Sequence, residues 1–150
     1  MGSIVDPLGG SKMTKAKILF VCSHNSARSQ MAEAIANNLL GDRLEASSAG
    51  SNPIEISPYS IAVMKEMGID ISKNRVKHLN EFTGKRFDYA VTLCGDEEDF
   101  CPFFPDAKEH LHHSVNAPKG TPNTEKGHLD DMRSMRDDIL AWIRRTFIEV

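Results

Sequence analysis

Residues 18–35 read ILFVCSHNSARSQMAEAI, and this stretch decides the fold. It opens with four uniformly apolar residues after Lys17, the pattern of a strand buried on both faces of a parallel sheet. From Ser29 the apolar residues Met31, Ala32, Ile35, Leu39 and Leu40 recur at helical spacing, and Gly41 supplies a stop. A strand over Lys17–Val21, a tight polar loop and a helix therefore follow one another. The loop opens with Cys22 and ends at Arg28, a C-x5-R spacing that is weak alone and strong at a strand-to-helix junction. There the backbone N–H groups of Ser23, His24, Asn25, Ser26, Ala27 and Arg28 can curl around one point, and the helix dipole adds positive potential. Such a cradle suits a tetrahedral oxyanion, and Arg28 adds a planar fork that clamps two oxygens, which a lysine cannot do. The same field favours the thiolate form of Cys22, which then reads as a nucleophile aimed at whatever the arginine holds. Asn25 suits a left-handed backbone position, and Ser26 or Ser29 can hydrogen-bond the sulfur. His24 reads as a shaping residue rather than a base, because a thiolate has no proton to remove. The plain alternative is a buried structural cysteine at a strand end.

Outward from this stretch the alternation continues. RLEASSAG (43–50) reads as a second strand, SPYSIAVMKEMG (57–68) as a helix with Ser57 as N-cap and Pro58 at its first position, and FDYAVTL (87–93) as a third strand. A fourth short strand is expected near HLHHSV (110–115). In 128–148, Leu129, Met132, Met135, Ile139, Trp142, Ile143 and Phe147 form one helical stripe. The pattern is that of a three-layer α/β domain. Two stretches, CGDEEDFCPFFPDAKEH (94–110) and NAPKGTPNTEKG (116–127), read as irregular, mobile loops. In an open parallel sheet the loops after the first, third and fourth strands emerge at the carboxyl edge, where ligands gather. Cys22, Cys94 and the Asn-Ala-Pro segment are thus expected on one edge.

The totals narrow the class. At 150 residues with 40% hydrophobic content, the chain suits a single domain with one core, 14–150, preceded by a Gly- and Ser-rich opening that reads as an expression leader over 1–13. A net charge of −3 gives no basic field for nucleic acid, and no apolar run is long enough to span a bilayer, so a cytoplasmic protein without membrane or nucleic-acid partners is expected. Three cysteines is an odd number and a poor disulfide framework. They read as spectators, metal ligands or working thiols. The C-x6-C spacing of Cys94 and Cys101 is wider than usual for zinc, although His110, His112 and His113 lie near in sequence.

VCSHNSARSQMAEA resembles the phosphate-binding loop of the low-molecular-weight protein tyrosine phosphatase fold, in the branch of thioredoxin-coupled arsenate reductases. SSAG, GIDIS, VTLCGDEEDFCPFFPDAKEH and RSMRDDI resemble that branch as well, so the likeness runs over Lys17–Phe147. It implies a three-layer α/β/α fold with a four-stranded parallel sheet in the order 2-1-3-4. Carried onto this chain, it implies Cys22 as the nucleophile toward arsenate and Arg28 as the clamp, with Ser23 to Ser29 as the oxyanion loop. Cys94 is then the second thiol, which forms a Cys22–Cys94 disulfide and expels arsenite. Cys101 is the third, which takes over Cys94 in a new disulfide that thioredoxin, or another small thiol donor, reduces. No bound cofactor or required metal is implied. A potassium ion near the loop accompanies some relatives, and Asn25, Glu33, Ser48 and Asp70 match its positions; helix and turn capping is the bland alternative for these four.

One position departs from the family. A general acid, usually Asp before a proline, is expected after the fourth strand, where this chain has SVNAPKG: Ala117 holds the position, with Asn116 beside it. Losing such an acid costs on the order of 10²- to 10⁴-fold on a proton-transfer step. Phosphate ester hydrolysis suffers most, since arsenate oxygens can leave already protonated. Arsenate reduction is the leading expectation, with a phosphatase on phosphotyrosine or small phosphate esters as the alternative. A glutaredoxin- or mycothiol-coupled variant, which does not need Cys101, and a non-catalytic oxyanion binder complete the set.

Overall fold

The computed structural model describes residues 15–96, 101–116, 118, 120 and 122–148. The expected leader, 1–13, lies outside them. Strands β1 (Ala16–Cys22), β2 (Leu44–Gly50), β3 (Phe87–Thr92) and β4 (Ala107–His112) and helices α1 (Arg28–Leu40), α2 (Pro58–Lys65) and α3 (Glu125–Ile143) follow in the order β1-α1-β2-α2-β3-β4-α3. All strand pairings are parallel, in the order β2-β1-β3-β4. The register sets Cys22 opposite Gly50 at the carboxyl ends of β1 and β2, with Val21 of β1 beside Thr92 of β3.

β1 explains why its run of apolar residues is uninterrupted: Ile18, Leu19, Phe20 and Val21 are fully buried, alternate residues facing opposite layers. Ile18 and Phe20 pack with Met31 and Ile35 of α1, Val63 and Met64 of α2, and Met132 and Ile139 of α3. Leu19 and Val21 pack instead with Phe82, Phe87, Ala90 and Phe104. This second layer is thin, made by a 3₁₀ turn (Leu79–Phe82) and the segment before β4. Edge-to-face rings join it, with Phe87 5.7 Å from Phe82 and 5.6 Å from Phe104.

Ser57 caps α2 as expected, its Oγ accepting from Tyr59 N and Ser60 N ahead of Pro58. α3 starts at Glu125, ahead of Leu129, the first residue of the apolar stripe, because Thr124 Oγ1 accepts from Gly127 N and fixes the first turn. Its end continues as a π-helical turn, Arg144–Ile148. β4 also begins earlier than expected, at Ala107 opposite Phe87, so that 107–110 is strand rather than loop. As an edge strand its residues are mostly exposed, and it lacks the apolar signal that marks β1. Leu39 departs from the expected α1 stripe and is exposed, whereas Leu40 is buried. Gly41 ends α1 with φ −59°, so the stop does not use glycine's left-handed freedom.

Candidate active site

The loop between β1 and α1 is shaped from outside. The carbonyls of Ser23, His24 and Ser26 accept from the backbone N–H groups of Asn52, Ile54 and Ser57 at 2.8, 3.1 and 3.1 Å. Ser26 Oγ donates to the Glu55 carbonyl at 2.7 Å. With its carbonyls pinned against the 50–57 segment, the loop turns its amides toward the opposite side, the arrangement of an anion nest. Asn25 has φ 53°, the left-handed turn that lets the loop curl. Gly50 is indispensable to the fit: a Cβ there would lie 2.6 Å from Ser23 O and 2.8 Å from Asn25 N. The N-cap of α1, Ala27, makes no side-chain cap, and its first turn has no acidic residue, so the positive end of the dipole is not neutralised locally.

Cys22, Arg28 and the loop line one cavity of about 350 Å³, together with His24, Ser26, Ala27, Ile54, Val115 and Met135. Cys22 is buried at the end of β1 and is not in a disulfide. Its Sγ lies 2.9 Å from Ser29 Oγ. Arg28 Nη1 donates to the Leu93 and Val115 carbonyls at 3.4 and 3.2 Å, which ties the loops after β3 and β4 to the cradle. Cys94, buried just after β3, is disulfide-bonded to the exposed Cys101. The structure thus gathers Cys22, Arg28 and the residues flanking Cys94 at the carboxyl edge, with Cys101 on the outside. Asn116 is on the same edge; Ala117 lies outside the described residues.

A buried polar network beneath the loop has a definite direction. Lys77 N donates to Asn25 Oδ1 at 2.8 Å, which fixes the amide orientation, since only an oxygen can accept there. Gln30 Nε2 donates to the same oxygen at 2.9 Å. Asn25 Nδ2 then donates to Ser48 Oγ at 3.0 Å and to Ser29 Oγ at 2.9 Å. Ser48 Oγ in turn donates to Glu33 Oε1 at 2.6 Å. Ser29 Oγ, which accepts from Asn25, keeps its own hydrogen available, and where Cys22 is a thiolate the 2.9 Å contact is a bond from Ser29 to the sulfur. The network presents the sulfur with a donor, which is what a thiolate needs.

A family model described as low molecular weight phosphotyrosine protein phosphatase matches residues 17–134. The chain belongs to this family. Within it, the chain is 37% identical over 137 residues to a protein named arsenate reductase from Halalkalibacterium halodurans, covering 91% of this chain and 98% of that one. A solved structure titled an arsenate reductase in the phosphate binding state superposes with a TM-score of 0.74 at 27% identity, over 90% of this chain and 98% of its own. A thioredoxin-dependent arsenate reductase from Corynebacterium glutamicum is 26% identical with a TM-score of 0.59, over 97% of this chain and 66% of that one.

For this member of the phosphatase family the potassium residues do not fit a potassium ion. Ser48 bridges Asn25 and Glu33, whereas Asp70 is engaged in its own turn, its Oδ1 accepting from Ser72 N at 2.9 Å. Asn25 turns N–H groups toward Ser48, while its oxygen is occupied elsewhere. Lys77 Nζ lies 3.5 Å from Glu33 Oε1 and donates to the Arg75 carbonyl at 3.0 Å, so an ammonium already stands at the carboxylate. The zinc alternative fares no better: among the described residues no group of His, Cys, Asp and Glu could hold a metal. His110 bonds to Phe104 O, His112 to Thr92 Oγ1 and Ser114 Oγ, and His113 to Asp138. Sequence reasoning missed Gln30, Lys77 and Asp96. A glutamine at the start of an otherwise apolar helix face was the one available signal; the other two act through long-range pairings.

Proposed function

We propose that the protein reduces arsenate to arsenite through Cys22, Cys94 and Cys101. The loop amides of Ser23 to Ser29 and Arg28 hold the oxyanion, and Cys22 thiolate attacks arsenic, expelling a protonated oxygen as water. Cys94 thiolate then attacks the Cys22 sulfur. A Cys22–Cys94 bond forms, the sulfur–arsenic electron pair stays on arsenic, and As(V) leaves as As(III) in arsenite. Cys101 thiolate next attacks Cys94 and returns Cys22 to its thiolate, leaving Cys94–Cys101 for a dithiol protein such as thioredoxin to reduce. The single observation that supports this sequence is the Cys94–Cys101 disulfide beside an unpaired Cys22, the pattern that the third step leaves behind. Cys101 is exposed, so an external thiol reaches this bond from its side. The reading places the protein in the cytoplasm, where reduced dithiol donors are maintained; no helix among the described residues is long and apolar enough to cross a membrane.

Hydrolysis of phosphotyrosine is the second reading, supported by family membership and the same cradle. Among the described residues of the loops after β3 and β4 it has no ready proton donor for the phenolate: Asn116 is an amide, and hydrogen bonds from Ser114 and Asn116 hold the neighbouring Asp96 carboxyl below its ordinary range. A coupled assay separates the two. NADPH consumption with thioredoxin and its reductase should depend on arsenate and disappear in Cys94→Ser. Turnover of an aryl phosphate that is indifferent to Cys94→Ser, without arsenate-dependent NADPH consumption, would refute arsenate reduction.

A further inference from the structure

Asn116 is not idle at the position beside the missing acid. Its Oδ1 accepts from Asp96 N at 2.8 Å, and its Nδ2 donates to Asp96 Oδ2 at 3.2 Å. The two bonds make a reciprocal clasp between the loop after β3 and the loop after β4, across 20 positions of sequence. Gly95, between Cys94 and Asp96, permits the approach: a Cβ there would lie 2.6 Å from Asn116 Oδ1 and 3.2 Å from Val115 O. The carboxylate end is held further. Ser114 also bonds Asp96, and His112 attracts it, while His112 Nε2 lies 3.0 Å from Ser114 Oγ and its Nδ1 2.7 Å from Thr92 Oγ1. On the other side of Cys94, the Leu93 carbonyl accepts from Arg28. Cys94 is therefore gripped before and after, by Arg28 through Leu93 and by Asn116 through Asp96.

We infer that Asn116 is a positioning residue for the second thiol, holding the Leu93–Asp96 backbone over the cradle so that Cys94 meets the Cys22 adduct in line. The inference rests on the relay proposed above. It gives the amide a task that a carboxylic acid cannot perform once ionised, since a carboxylate 3.2 Å from Asp96 would repel it. The cost of lost alignment is large because a thiol must approach along the bond that breaks, and misplacement by about 1 Å costs on the order of 10²-fold.

The test is arsenite release in a single turnover by Cys101→Ser protein, which stops at Cys22–Cys94. Asn116→Asp in that background should slow release by about 10-fold or more, with phosphate still protecting Cys22 from iodoacetamide at unchanged concentration. Combining Asn116→Asp with Asp96→Asn exchanges amide and carboxylate and should restore the rate to within about threefold, which a merely structural defect or a lost acid would not allow. Hydrogen exchange at the Asp96 amide should be fast in Asn116→Ala and slow in the wild type. An unchanged or faster release in Asn116→Asp, or no rescue by the exchanged pair, overturns the positioning role while leaving the relay intact. Absence of arsenite from Cys101→Ser with native Asn116 overturns both.

Discussion

Ser29→Ala is the sharpest probe of how Cys22 is activated. The hydroxyl is fully buried, accepts from Asn25 Nδ2 and lies 2.9 Å from the sulfur, and toward a thiolate, which has no hydrogen to give, it can act only as donor. A hydrogen bond to a charged partner contributes about 1.5–3 kcal/mol. At about 1.4 kcal/mol per decade, alkylation of Cys22 by iodoacetamide at pH 7 should slow by roughly 10- to 100-fold. The measurement uses protein carrying Cys94→Ser and Cys101→Ser, so that Cys22 is the only thiol, with phosphate protection of Cys22 as the check that the cradle still folds. Stability should fall too, because the substitution strands one N–H of a buried amide, at a cost of about 1–3 kcal/mol; for a chain of this size each kcal/mol lowers Tm by about 2–4 °C. Alkylation within about twofold of the parent would refute the reasoning and leave the loop amides and Arg28 as sufficient.

Two further outcomes follow from the ion pairs. Glu66, at the end of α2, accepts from Arg133 and Arg136 of α3, Arg133 first, and these bonds bring its carboxyl from 4.5 down to about 2. A depressed carboxylate stabilises the fold above its unfolded value, so the Tm gap between wild type and Glu66→Gln should be full at neutral pH and close as pH falls from 4.5 through about 2; a gap independent of pH would count against the pairing. At Glu33 the resident ammonium of Lys77 makes an added cation superfluous. Exchanging K⁺ for Na⁺ at constant ionic strength should leave the wild-type Tm unchanged, whereas Lys77→Met should lower it, and a K⁺-specific rise in the wild type would show that the ammonium does not fill that place.

The elements that could be read from sequence are those whose burial is one-sided or complete. β1 is enclosed by β2, β3 and two layers of side chains, and its apolar run records that enclosure directly. Ser57–Pro58 marks the start of α2 because a cap and a fixed φ act within two residues. β4 was misplaced for the converse reason. It pairs on one side only, and its charged, exposed residues carry no period. The 3₁₀ turn at Leu79–Phe82 escaped as well, since a four-residue turn has no pattern of its own and is justified only by the ring of Phe82 meeting Phe87 on one face of the sheet.

At the site the same distinction separates loop from support. Cys22, Asn25 and Arg28 are legible because the strand-to-helix junction forces their backbone into a cradle, whatever surrounds it. What sits behind them depends on which side chain arrives from a distant segment. Four residues matching a potassium site look like one in sequence, yet Asp70 caps its own turn and Lys77, which no motif announces, brings its ammonium to Glu33 and its N–H to Asn25. That single lysine both settles the charge at Glu33 and fixes the amide that sets the hydrogen-bond direction toward Cys22. In the proposed relay, the hydrogen bonding of the Cys22 nucleophile is therefore set from outside the motif, through the Lys77 backbone N–H, Asn25 and Ser29 in turn. Lys77→Pro, which removes that N–H, should accordingly lower Cys22 reactivity although the residue does not line the cavity.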